Sequence, residues 1–226
     1  LTAGGLNTDK TFSGVIAGSG AFTKSGSGTL TLSGANSYTG QTEVSGGVLS
    51  LAASGSLSDS SAVALRSGTQ LSISGDEEVG SIEGEGDIEL GTSRLTAGGL
   101  NTDKTFSGVI AGSGAFTKSG SGTLTLSGAN TYTGQTAVSG GVLSLDATGS
   151  LSNSSDVLLE SGTTLSITGD EEVGSIEGGG DIELGTSRLT AGGLNTDKTF
   201  SGVIAGSGAF TKSGSGTLTL SGANTY

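Results

Sequence analysis

The chain has 226 residues, 45 of them glycine, and lacks proline, cysteine, methionine, tryptophan and histidine altogether. Glycine at this density excludes a helical fold, because each one inside a helix costs about 1 kcal/mol relative to alanine. Nine basic residues against 21 acidic ones leave a net charge of −12, which disfavours nucleic acid and anionic membrane as partners, since both recruit cationic surfaces.

The sequence is periodic. The stretch that opens at Leu1 with LTAGGLNTDKTF returns at Leu95 and again at Leu189, a period of 94 residues, and residues 1–94 and 95–188 differ at 11 positions. A fixed period marks a repeat architecture, so 1–94 and 95–188 read as two full solenoid repeats and 189–226 as a partial third, in one continuous array. Tyr226 is the counterpart of Tyr38 and Tyr132, so a fragment of a longer array is expected.

In chain order, the first repeat and the start of the second alternate apolar and polar residues in short runs: Ala21 to Lys24, Thr29 to Ser33, Thr42 to Ser45, Val48 to Leu51, Val63 to Arg66, Gln70 to Ile73, Glu78 to Ile82, Asp87 to Leu90, Leu95 to Ala97 and Thr105 to Val109. Period-2 alternation is the signature of a half-buried strand. The residues that open every second run, Gly28, Gly47, Gly68, Gly86, Lys104 and Gly122, lie about 19 apart. This spacing predicts about five coils per repeat and about twelve in all, each with at least two strands joined at Gly, Ser and Asn corners. Strands that recur once per coil stack in parallel, which makes an all-β parallel β-solenoid. At about 4.8 Å per coil the rod would be near 58 Å long. No apolar run approaches the roughly 20 residues of a spanning helix, so this segment is not expected to insert in a membrane.

One stretch carries a more specific signal. Gly114 to Thr136, reading GAFTKSGSGTLTLSGANTYTGQT, followed by Val138 to Leu143, and its copy from Gly20 to Leu49, closely resemble the passenger-associated transport repeat of Gram-negative autotransporters. The resemblance implies a right-handed parallel β-helix in a type V secreted passenger, displayed on the cell surface or released from it. It further implies a stalk or fibre for attachment or aggregation, contacting its own neighbouring repeats, other copies, glycans, cell surfaces or abiotic surfaces. The alternatives are an inert spacer that projects a separate tip domain and a polysaccharide-acting β-helix enzyme whose site lies elsewhere.

The residues that could carry chemistry are few. Asp76, Glu77, Glu78, Glu83, Glu85, Asp87 and Glu89, with Asp170, Glu171, Glu172, Glu177, Asp181 and Glu183 in the second copy, form acidic clusters. If the strand through them is unbroken, Glu83, Glu85, Asp87 and Glu89 share an outward parity opposite to Ile82, Ile88 and Leu90. Carboxylate oxygens suit calcium, yet Glu85 becomes Gly179 in the second copy, so a solvated face that keeps the rod soluble is the expected reading. Gly178-Gly179-Gly180-Asp181 lacks the nine-residue spacing of a calcium roll, and Thr29-x-Thr31 recurs too rarely for an ice-matching lattice. The basic residues Lys10, Lys24 and Arg94 recur with the repeat, and Arg66 becomes Glu160, whereas a catalytic site is normally singular. No catalytic, cofactor-binding or metal residue is therefore assigned, and no cofactor is expected. Tyr38, Tyr132 and Tyr226, with Asn36, Asn130 and Asn224, are expected at corners and in stacking.

Overall fold

The computed structural model describes residues 1–226 as an all-β parallel solenoid of about 11 turns, built from 28 short strands with no helix. Every strand pair is parallel, and partners lie about one coil apart in sequence, as in Thr29–Leu32 on Val48–Leu51 and Val48–Leu51 on Gln70–Ile73. Each of these strands alternates half-buried and buried residues, because successive side chains of a strand point to opposite faces.

Three faces wrap the rod. The first carries eleven strands, from Thr2–Ala3 through Ala62–Leu65 and Thr123–Leu126 to Ile204–Ala205. The second begins with six strands from Lys10–Phe12 to Ile110–Ala111; after turns around Thr131 and Ser152, the strands Glu171–Val173, Arg188–Ala191 and Ala209–Lys212 occupy the same slot of the coil. The third carries eight, from Glu77–Val79 to Leu218–Leu220. Inside, 40 buried apolar residues form one core. They stack like on like: Leu30, Leu49, Leu71, Ile88 and Ile110 run in register down the second face. Their repeat mates Leu124, Leu143, Leu165, Ile182 and Ile204 run down the first.

That change of face corrects the coil count. From Thr2 the register passes through Thr23, Glu43 and Ala64 to Glu83 in four turns, and Gly84 then stacks on Phe106. Thr96, the counterpart of Thr2, lies on the third face, between those two levels. A repeat is thus about four and two-thirds turns of roughly 20 residues, not five of 19. The spacing misled at Lys104, whose strand stacks under Ser81–Gly84 and not under Asp87–Glu89. Consecutive repeats are therefore rotated by about a third of a turn and advanced by about 22 Å, at the usual strand separation of about 4.8 Å.

Corners are made where the chain needs them. Gly84 and Gly178, at φ +108° and +107°, end their strands where a Cβ would meet the carbonyl oxygen of Leu65 or Leu159 at 2.1 Å. The chain from Ile82 to Leu90 is thus two strands, Ser81–Gly84 and Asp87–Glu89, so the condition of one unbroken strand is not met. Asn7, Asn101 and Asn195 adopt φ near +58°, and the side-chain oxygen of each accepts the N–H of Ser27, Ser121 or Ser215 one coil on.

Candidate functional site

The acidic clusters do not form one ridge. Glu85 and Asp87 are exposed and Glu83 and Glu89 half-buried, outward as the parity predicts. Glu77 and Glu171 point inward instead, at 4% and 5% exposure, because they share the parity of Val79 and Val173. Their carboxylates accept the N–H of Leu57 and Leu151 at 2.7 and 2.8 Å. Burial pushes Glu77 up to about 8 and Glu171 up to about 7, so both are largely neutral carboxylic acids in mildly acidic solution. The Oε2 atom of Glu77 has no partner in the protein.

Most outward carboxylates already serve the frame. Asp76 accepts the Arg94 N–H at 2.8 Å and pairs with its guanidinium at 3.1 Å, and Asp87 and Asp181 accept the N–H of Val109 and Val203. No group of three or more Asp or Glu side chains converges as a set of metal ligands.

The recurring Lys of the transport-repeat stretch is a core residue in its first two copies, which its periodic spacing did not reveal. Lys24 and Lys118 are 1% exposed. The Lys118 ammonium donates to the carbonyls of Ser119, Gly120 and Gly140 at 2.7 to 2.9 Å, and Lys24 does the same to Ser25, Gly26 and Gly46. Desolvation lowers both below the usual lysine range. The signal was present in strand parity, since Lys24 follows inward Phe22 by two. Tyr38 and Tyr132 are likewise interior; the Tyr132 hydroxyl lies 2.7 Å from Thr136 Oγ1, which lies 2.8 Å from Ser155 Oγ. Asn36, Asn130 and Asn224 each accept an N–H one coil back, from Ile16, Ile110 and Ile204.

Outward, two polar grooves stand at equivalent places. One, of about 700 Å³, is lined by Glu83, Asp103, Lys104, Thr105, Thr123 and Thr125; the other, of about 490 Å³, by Glu177, Asp197, Lys198, Thr199, Thr217 and Thr219. Neither has an apolar lining residue. The Lys104 ammonium lies 2.7 Å from Glu83, and Lys198 lies 2.8 Å from Asp156 and 2.9 Å from Glu177. Burial alone would raise Asp156, but hydrogen bonds from Lys198, Ser175 and Gln135 outweigh it and hold it below the usual range. A third hollow, of about 360 Å³, is apolar and opens at the uncovered first coil, between Leu1, Phe12, Ile16 and Leu30. Phe12 is 43% exposed there, against 0% for its mates Phe106 and Phe200, so this hollow is the open end of the core.

Comparison with known proteins gives two findings. The passenger-associated-transport-repeat family matches residues 22–51, 116–145 and 210–226; the first two of these stretches carry the buried Lys24 and Lys118. The "Adhesin BmaC autotransporter" of Brucella suis biovar 1 (strain 1330) is 38% identical over 231 residues, covering 97% of this chain and 7% of that protein. The chain thus spans a small part of the relative it matches. No solved structure matches.

Proposed function

From the premise that this chain is a stretch of autotransporter-type passenger carrying passenger-associated transport repeats, we propose that it is an adhesive segment of a stalk or fibre displayed on a Gram-negative cell surface. Display asks for a constant interior and a free exterior. The observation that carries the reading is that none of the 11 positions at which the two full repeats differ is buried in either copy. Even Ala64, which becomes Leu158, projects from the outer side of its strand. The frame is held and the outer surface drifts, while repetition multiplies weak outward contacts into avidity.

The role is non-catalytic: most of its charged groups recur with the repeat, and many of them act as staples between coils. We expect no need for calcium, because most of its outward carboxylates already accept backbone N–H groups or pair with Arg and Lys, and no three of them converge. Bacteria displaying the passenger with this segment, compared with bacteria displaying a passenger shortened by one whole turn-matched block of repeats, are expected to attach and aggregate more strongly. Equal attachment at equal display would favour the inert spacer instead, a reading to which the net charge of −12 lends support, since it keeps neighbouring rods apart.

A further inference from the structure

The two polar grooves recur with the sequence repeat and are built from six equivalent residues each, so they are features of the repeat and not accidents of one coil. Their floor is the in-register step from Lys104–Phe106 onto Thr123–Leu126, and from Lys198–Phe200 onto Leu218–Leu220. Asp103 and Asp197 anchor the rim by accepting the N–H of Thr123 and Thr217 at 2.7 Å. The Thr hydroxyls are open. Interior hydroxyls such as those of Thr42, Thr69 and Thr136 are all engaged within the chain, whereas those of Thr105, Thr123 and Thr125 face the groove and make no bond within the chain. Thr105 and Thr125 are register partners, hence about 4.8 Å apart, and Thr123 and Thr125 lie on one strand about 6.7 Å apart.

The chemistry selects among ligands. An apolar side chain finds no hydrophobic residue in either groove, only threonine methyls and a lysine stem. An anionic glycan would face Glu83 and Asp103 against the single cation Lys104, which Glu83 already holds at 2.7 Å. Hydroxyls that both donate and accept, beside a carboxylate and an ammonium, match the hydroxyl groups of an uncharged sugar. Resting on the adhesive reading above, we propose that each repeat presents one groove for a segment of neutral polysaccharide. Because the grooves sit on the first and third faces, about 22 Å apart along the axis, one straight glycan chain alongside the rod cannot fill both. Each rod therefore bridges separate chains, which suits anchorage in a polysaccharide mesh.

The 226-residue chain is tested by native electrophoresis in gels cast with dextran, with galactomannan, with heparin, and without polysaccharide. Retardation is expected in at least one neutral gel and not in heparin, and Thr105→Val, Thr125→Val, Thr199→Val and Thr219→Val combined should restore the mobility seen in the plain gel. Valine keeps the shape and strand preference of threonine; circular dichroism checks the fold, and the alanine set replaces the valine set if the latter aggregates. Mobility unchanged in both neutral gels, retardation in heparin alone, or equal retardation of unaltered and substituted chains each overturns the groove. Cells that attach as well with the substitutions as without also overturn it while leaving the adhesive reading intact. Cells that fail to attach even with the unaltered rod sink that reading, and the gels still decide the groove.

Discussion

Glu77 and Glu171 show how a single inward parity sets a pH response. Their folded values of about 8 and about 7 lie above the ordinary 4.5, so the protein binds protons more tightly folded than unfolded. The stabilisation is complete below about pH 4.5 and is lost as pH rises through the folded values, at about 1.4 kcal/mol per unit of difference. Thermal unfolding is expected at a higher temperature at pH 5 than at pH 8.5, and Glu77→Gln with Glu171→Gln should flatten that slope while keeping the N–H acceptor. A slope that survives both substitutions would assign the response to the outward carboxylates. The buried ammonium makes a second prediction. Lys118→Met strands three carbonyls inside the rod and is expected to cost about 2–4 kcal/mol in urea unfolding, whereas Lys212→Met, on an exposed terminal lysine with two such bonds, should cost far less. Both inward residues were legible in strand parity, two positions from Val79 and Phe22. What hid them was the ordinary expectation that a charge faces water, which three carbonyls or one N–H inside the coil overrule.

At the scale of the element, the strands follow the alternation closely: Thr29–Leu32, Val48–Leu51 and Gln70–Ile73 are the runs read from the sequence, shifted by a residue at most. The corners were less legible, since glycine composition alone does not separate a glycine that must be one from a glycine in open space. Gly178 has φ +107° and a would-be Cβ 2.1 Å from the Leu159 carbonyl oxygen, whereas Gly162, at φ +84°, has nothing within 4 Å. Gly178→Ala is expected to destabilise by more than about 2 kcal/mol. Gly162→Asn should cost under about 1 kcal/mol, because Asn tolerates left-handed backbone, as Asn101 does in this rod. Chemical denaturation of the two variants side by side checks both; equal losses would refute the distinction.

For the whole molecule, about 11 turns at about 4.8 Å give a rod near 53 Å, slightly shorter than the coil count from spacing alone suggests. Small-angle scattering and sedimentation should report an elongated monomer of 21.6 kDa. Both are expected to be unchanged by millimolar calcium or by a chelator, because most outward carboxylates are already engaged within the frame and no three converge; calcium-dependent association would overturn that. The fold class, the parallel stacking and the inward and outward parities were determined by the sequence alone, because a 94-residue period and strict alternation leave a glycine-rich chain few ways to bury its leucines. The turn count, the third-of-a-turn rotation between repeats, the carbonyls and N–H that receive Lys24 and Glu77 inside the coil, and the meeting of Thr105 with Thr125 across coils were decided only by the tertiary structure. The physical reason is register: sequence spacing says that strands recur, but the hydrogen bonds between coils decide which strand lies on which, and that choice places every side chain around the axis.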